Sequence, residues 1–326
     1  MRVSESGEFG LIAELRKILS GDREDIILPP GDDAAVFRAP GGELMAFTTD
    51  ALVEGVHFDR AYVSWRALGY KSLAVNISDL AAMGGCPSSF ALVVLGLPED
   101  IEVENINHLY EGMMKCGEKF SCRIVGGDIV RSPRQLFISV SVIGGLPRET
   151  FLTRAGAGTG QSIMITGTLG DSAIGLDWLK RGGGGENACA RKHLYPEPRL
   201  REGKRALELG AAAAIDVSDG LLRDLGHICE ESGVGARIMA QEIPISAAAF
   251  ETARELDEDA LGAALSGGED YELIVIADEE NALAMRAEIG LVRIGEITQG
   301  SGVTVLDASG RMMQLEKTGY DHFGGA

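Results

Sequence analysis

Along the chain, stretches with apolar residues three or four apart alternate with stretches in which apolar residues alternate or run together. The first pattern predicts amphipathic helices and the second strands. Helical spacing covers residues 8–20, 64–84, 103–120, 171–180, 199–212 and 219–232. Strand patterns cover 43–49, 89–97, 122–125, 135–145, 162–167, 213–217, 235–240, 271–277, 292–297 and 302–306. Gly84 and Gly85 stop the long helix over 64–84. Turn formers crowd residues 146–161, "LPRETFLTRAGAGTGQ", which places a domain boundary there and divides 1–148 from 149–326. Interleaving of this kind predicts two domains of α/β (α+β) type. The run "RGGGGEN" at 181–187 predicts a mobile loop, because glycine loses much backbone freedom on ordering.

Composition narrows the class. Of the 326 residues, 45% are hydrophobic and 24% charged, ample for a packed core and unlike a disordered chain. No apolar run has the roughly 20 residues that a bilayer span needs, and "MRVSESGEFG" lacks the apolar centre of a secretion signal, so a cytoplasmic protein is expected. A formal charge of −19 disfavours a nucleic-acid partner, whose phosphates it would repel. The cysteines, Cys86, Cys116, Cys122, Cys189 and Cys229, form no C-x-x-C pair and are expected to be buried free thiols. The histidines, His57, His108, His193, His227 and His322, show no metal-ligand spacing.

Candidate chemistry concentrates in acidic corners set among Gly, Ser and Thr: "PGDDAAV", "FTTDALVEGVHF", "VNISDL", "VGGDIV" and "DVSDGL". Phosphate-loop, protein-kinase, zinc-protease, serine-hydrolase, dinucleotide and EF-hand patterns are all missing. Magnesium is held by one or two carboxylates together with waters and substrate phosphates. Asp33, Asp50, Asp79, Asp128, Asp216 and Asp219 are candidates for such ions, which would also let an acidic protein hold anionic substrates. The competing reading is that each aspartate is a turn or cap residue, with Asp219 capping the helix that starts near Leu221. Asp100 and Asp257 are given no role.

From "GEFGLI" at 7–12 to "GYDHF" at 319–323 the chain resembles the thiamine-monophosphate kinase family, of the superfamily that includes aminoimidazole ribonucleotide synthetase and selenophosphate synthetase. "GDDAAV", "TTDALVEGVHF", "KSLAVNISDLAAMGG", "GGD", "ITGTLGDSAIGL", "AIDVSDGLLRDLGHI" and "SGGEDYEL" bear the resemblance. "VEGVHF" and "GGEDYEL" are specific to this branch. Where the family commonly reads Arg-Ser-Gly-Ala, this chain has Arg154-Ala155-Gly156-Ala157. It lacks the early cysteine of selenophosphate synthetase and the C-terminal cysteine of the carbamoyl-dehydrating member.

The resemblance implies a two-domain fold whose N-terminal domain, 1–148, binds ATP and Mg²⁺ and pairs across a homodimer, the sheets joining into a barrel-like core. It implies transfer of the γ-phosphoryl group of ATP to thiamine monophosphate, giving thiamine diphosphate and ADP. By motif, Asp33, Thr48, Thr49, Asp50, Asp79, Asp128, Asp216 and Asp219 would hold several Mg²⁺ ions, with Asp50, Asp79 and Asp128 at the centre. Tyr110, Gly127, Asp128, Arg154 and Ser218 would contact ATP, and His57, Glu269 and Tyr320 the thiamine phosphate. K⁺ is a further candidate ion. No single catalytic base is expected, because a phosphate monoester with a second pKa near ~6 is already an ionised acceptor. The rival of another class is a protein that binds Mg-ATP without turnover.

Overall fold

A computed structural model describes residues 2–19, 21, 24–147, 149–314, 319 and 320. The N-terminal half runs α1 (Val3–Leu19), β1 (Ile26–Leu28), β2 (Ala35–Arg38), β3 (Leu44–Val53), α2 (Trp65–Ala82), β4 (Ser89–Leu97), α3 (Val103–Phe120), β5 (Cys122–Arg131) and β6 (Phe137–Gly145). The C-terminal half runs β7 (Ser162–Ile165), α4 (Asp171–Lys180), α5 (Ala188–Leu194), α6 (Leu200–Glu208), β8 (Ala213–Asp216), α7 (Leu221–Ser232) and β9 (Gly235–Met239). It continues through α8 (Ala247–Leu256), α9 (Ala260–Ser266), β10 (Leu273–Ala277), α10 (Glu279–Ile289), β11 (Val292–Thr298) and β12 (Gly302–Leu306).

Each half builds one six-stranded mixed sheet, in the orders β1-β2-β3-β6-β4-β5 and β12-β9-β11-β7-β10-β8. Among the described strands, only β4–β5 and β12–β9 pair in parallel. Among the described residues both sheets are open, so one chain does not form the barrel that the resemblance implies. Strand alternation sorts the first sheet into two faces. Ala46, Val93 and Val140 point inward and are fully buried, whereas Phe47, Phe90 and Leu92 point outward and are 45–50% exposed.

On the inner face lies α2, packed against α3, α6, β3, β6 and β8. Ser64 caps it by accepting the Ala67 N–H at 3.2 Å, a contact worth about 1 kcal/mol. Approach to α3 is unusually close. A Cβ at Gly69 would lie 1.8 Å from the Leu109 carbonyl oxygen, and one at Gly112 would lie 2.0 Å from that of Arg66. Because α2 is enclosed on nearly every side, its polar residues Lys71, Ser72, Asn76 and Ser78 are buried as well. Each must find a partner or cost about 1–3 kcal/mol.

Several elements depart from the sequence expectation. Strand β5 continues through Gly126 and Gly127 to Arg131 instead of ending at 125. A bulge falls between its pairings with Ala91 and Leu92, and a Cβ at Gly127 would lie 1.8 Å from the Val93 carbonyl oxygen, so glycine is needed for β4 to approach. The helix expected over 199–212 ends at Glu208, and β1, β2, α5, α8, α9 and α10 were not expected. The glycine run is anchored: the Trp178 indole N–H donates to the Gly184 carbonyl at 3.0 Å, and the Gly183 N–H donates to the Trp178 carbonyl at 3.0 Å. All five cysteines are buried free thiols.

Candidate active site

The polar residues of α2 reach both domains. Asn76 Oδ1 accepts the Asp50 backbone N–H at 3.1 Å. Strand β3 outruns β2, whose pairing stops at Phe47, so this N–H has no strand partner on that side. Two residues along, on another side of the helix, Ser78 donates to Asp216 Oδ2 at 2.5 Å, joining α2 to the end of β8 in the C-terminal domain. Asp79 accepts the Thr48 hydroxyl from β3. The chain thus gathers Asp33, Asp50, Asp79 and Asp216 at the junction of the two domains.

Their mutual fields show in their proton affinities. Burial, then the Asp33 charge, pushes Asp50 up to about 6. Burial and Asp33 push Asp216 to about 8, although Ser78 and Arg154 oppose this. Asp79 rises well above the ordinary carboxylate range through burial and the charges of Asp50, Asp216 and Asp33. Asp219 contributes to the field at Asp50. A cluster of this kind binds protons without cations and releases them when cations enter.

Asp33 and Asp50 each have one buried carboxylate oxygen, Oδ2, without a hydrogen-bond partner. Hard oxygens of this type suit Mg²⁺. Among the described residues, no group of three His, Cys, Asp or Glu side chains is arranged to hold an ion by itself. Mg²⁺ does not require that, since waters and substrate oxygens fill most of its octahedron.

Among the described residues, a cation borders the cluster. Arg154 donates to Asp33 Oδ1 from Nη2 at 2.5 Å and from Nε at 3.1 Å, and its backbone N–H donates to Asp32 Oδ2 at 3.0 Å. Burial works against the Arg154 charge, but Asp33 and Asp32 outweigh it and raise its pKa. Opposite, the 217–220 loop is shaped by a residue that sequence reasoning missed. Asp224 Oδ2 accepts the N–H groups of Ser218, Asp219 and Gly220 at 3.0, 3.1 and 3.0 Å. Gly220, not Asp219, is the N-cap residue of α7.

The "GGEDYEL" segment is fixed by its alternate acids. Asp270 accepts the Gly170 and Ser172 N–H groups at 2.6 and 3.0 Å, at the start of α4. Glu272 accepts from Arg199 Nε and Nη2 at 2.6 and 2.5 Å and from Thr166 at 2.6 Å. These anchors hold Glu269 and Tyr271 in the left-handed region, φ 66° and 52°, a cost of about 1–3 kcal/mol each. Lys71 Nζ lies 2.8 Å from Glu269 Oε1. Burial would raise the Glu269 carboxyl, but Lys71, through its charge and its hydrogen bond, holds it below its usual range. His57 Nδ1 accepts the Val53 N–H at 3.0 Å, which leaves the proton of the neutral ring on Nε2.

The remaining predicted residues lie elsewhere. Thr49 points to the outer face of the sheet, opposite Thr48 and Asp50, and donates to the Val140 carbonyl at 3.1 Å. Asp50 pairs with Val140, Val140 with Val93 and Val93 with Gly127. Gly127 is therefore three strands from Asp50, roughly 14 Å at ~4.8 Å per strand. Asp128 is exposed, accepts the Ile129 N–H at 2.9 Å and shares Thr49's face through its pairing with Val94. A single chain does not bring it to Asp50 and Asp79. Tyr110 packs against the N-terminal core. The Tyr320 N–H donates to the Asp219 carbonyl at 3.0 Å, and the Tyr320 residue is 46% exposed beside that loop. His322 and residues 321–323 of "GYDHF" lie outside the described residues.

A family model described as AIR synthase related protein, N-terminal domain, matches residues 31–146, and its C-terminal counterpart matches 158–308. The fold and the two-domain acidic site thus define an AIR synthase-related protein. Thiamine-monophosphate kinase from Aquifex aeolicus (strain VF5) is 36% identical across 99% of this chain and 100% of its own length. The Escherichia coli (strain K12) enzyme of that name is 38% identical across 97% and 98%. A solved structure described as AaThiL complexed with AMPPCP and TMP superposes with a TM-score of 0.87 at 36% identity, covering 99% of both chains. The chain belongs to the thiamine-monophosphate kinase family.

Proposed function

We propose that the protein transfers the γ-phosphoryl group of ATP to the phosphate of thiamine monophosphate, forming thiamine diphosphate and ADP. The observation that carries this reading is the convergence of Asp33, Asp50 and Asp79 from one domain with Asp216 from the other, beside Arg154 and Glu269. Kinship with thiamine-monophosphate kinases and a related structure holding AMPPCP and TMP support it.

We assign the carboxylates, with Thr48, to Mg²⁺. Bound there, Mg²⁺ would neutralise the like charges of donor and acceptor phosphates, the main obstacle to bringing them together. The chain's own groups then divide the work. Asp33 holds one edge of Arg154 so that the remaining guanidinium donors face the nucleotide phosphates. Asp224 shapes the loop from which Ser218 meets ATP. Glu269, with His57 and Tyr320, takes the thiamine end. No residue need remove a proton, because the acceptor is ionised near neutrality. Transfer is direct, and a phosphorylated side chain on the pathway would overturn that step.

The protein acts as a homodimer in this reading. The outer face of the first sheet exposes Phe47, Phe90, Leu92 and Val130 together, a patch of the kind that marks an interaction surface. Pairing two such faces would close a barrel-like core and cover Thr49 and Asp128. Domain limits of 1–148 and 149–326 fit this division of labour.

The test is an assay of purified protein with Mg-ATP, thiamine monophosphate and K⁺, following both products. Thiamine diphosphate and ADP in equal amounts are expected. ATP binding without thiamine diphosphate would move the substrate assignment to another acceptor and favour the binding-only rival.

A further inference from the structure

We infer that Lys71 is a positioning residue that fixes the Glu269 carboxylate for recognition of thiamine monophosphate, with His193 completing the support. The inference rests on the reading of Glu269 as a substrate contact.

The network crosses the domain junction. Lys71 is 3% exposed on α2, and its Nζ lies 2.8 Å from Glu269 Oε1 and 3.4 Å from His193 Nε2. An ammonium only donates, so His193 Nε2 accepts and the ring proton sits on Nδ1. That nitrogen stands 3.0 Å from Ser172 Oγ and 3.5 Å from Glu269 Oε2. Burial first, then Lys71, lowers His193 to about 3, which keeps the ring neutral. Both carboxylate oxygens are thus addressed from behind, while the Glu269 side chain keeps 24% exposure. Lys71 itself cannot reach a ligand in solvent, so it acts through Glu269.

Two further features favour a functional role over a packing role. Buried ion pairs seldom stabilise more than an apolar pair of the same volume, and Glu269 is held at φ 66° with its N–H on the Ser218 carbonyl at 2.7 Å. The groups facing it are Lys71 from α2, His193 from α5, His57 and Tyr62 from the 54–64 segment, and Tyr271 beside it. Lys71 Nζ, at 2.8 Å, lies closer to the Glu269 carboxylate than His193 Nδ1, at 3.5 Å. An ionised carboxylate complements the cationic thiazolium and the aminopyrimidine donors of thiamine.

The test compares KM for each substrate and kcat across pH in the full-length protein, Glu269→Gln, Lys71→Met and Lys71→Arg. Glu269→Gln is expected to raise KM for thiamine monophosphate about tenfold or more, as loss of a charged hydrogen bond does. Lys71→Met should do likewise with KM for ATP within about twofold. Its KM for thiamine monophosphate relative to wild type should fall as pH rises, because a half-buried Glu269 without its cation ionises only at higher pH. Lys71→Arg should restore most of the affinity. Where Lys71→Met does not fold, Lys71→Gln gives the same readout. A raised KM in Glu269→Gln with a wild-type, pH-independent KM in the Lys71 variants would overturn the inference and leave the function standing. An unchanged KM in Glu269→Gln would remove the reading of Glu269 on which it rests.

Discussion

Ser78 Oγ and Asp216 Oδ2 lie 2.5 Å apart, and this bond joins the central helix of one domain to the last residue of a buried strand in the other. It locks two acidic corners, distant in sequence, into one site. Ser78→Ala leaves Asp216 buried with one partner fewer. Destabilisation of about 1–3 kcal/mol in urea unfolding is expected, together with a higher Mg²⁺ concentration for half-maximal rate. Unchanged values of both would separate the bond from the site.

Proton linkage gives a second expectation. Asp50 is raised from 3.8 to about 6 and Asp216 from 3.8 to about 8. Between those limits the folded, metal-free protein keeps protons that the unfolded chain has released. The stabilising contribution of these groups is therefore complete below 3.8 and lost as pH rises through about 6 and then about 8. Metal-free wild type should lose melting temperature relative to Asp216→Asn across that window, and Mg²⁺ should restore most at its upper end. A difference that stays constant with pH would show that Asp216 titrates normally.

Asp224 holds three backbone N–H groups at 3.0, 3.1 and 3.0 Å with one oxygen. Asp224→Ala leaves all three without that acceptor, so a loss of about 3 kcal/mol or more is expected. KM for ATP should rise as Ser218 shifts, while Asp224→Asn, which keeps an acceptor, should fall between. An unaltered KM for ATP in a destabilised Asp224→Ala protein would confine the residue to folding.

Much of the site was legible because each acidic corner is a local pattern. Asp33, Asp50, Asp79 and Asp216 stand out as acids among small residues, and the resemblance named them together. What was not legible depends on three-dimensional neighbours. Lys71 and His193 lie 122 positions apart and meet only when α5 packs against α2. Asn76 and Ser78 lie inside the "VNISDL" motif, yet their roles follow from a helix enclosed on nearly every side. Thr49 and Asp128 show the converse. Strand alternation sends Thr49 to the outer face, and two intervening strands separate Asp128 from Asp50. The glycine run looked free because nothing local reveals that the Trp178 indole holds it.

The central claim is that this carboxylate cluster is the metal site on which phosphoryl transfer depends. Thiamine diphosphate formation should be measured against Mg²⁺ concentration at saturating ATP and thiamine monophosphate, in wild type and in Asp79→Asn, which keeps shape and removes charge. The account predicts a wild-type rate that requires Mg²⁺, and a folded variant whose kcat is lower by roughly 10²-fold or more. Wild-type turnover in folded Asp79→Asn at the same Mg²⁺ concentration would contradict it.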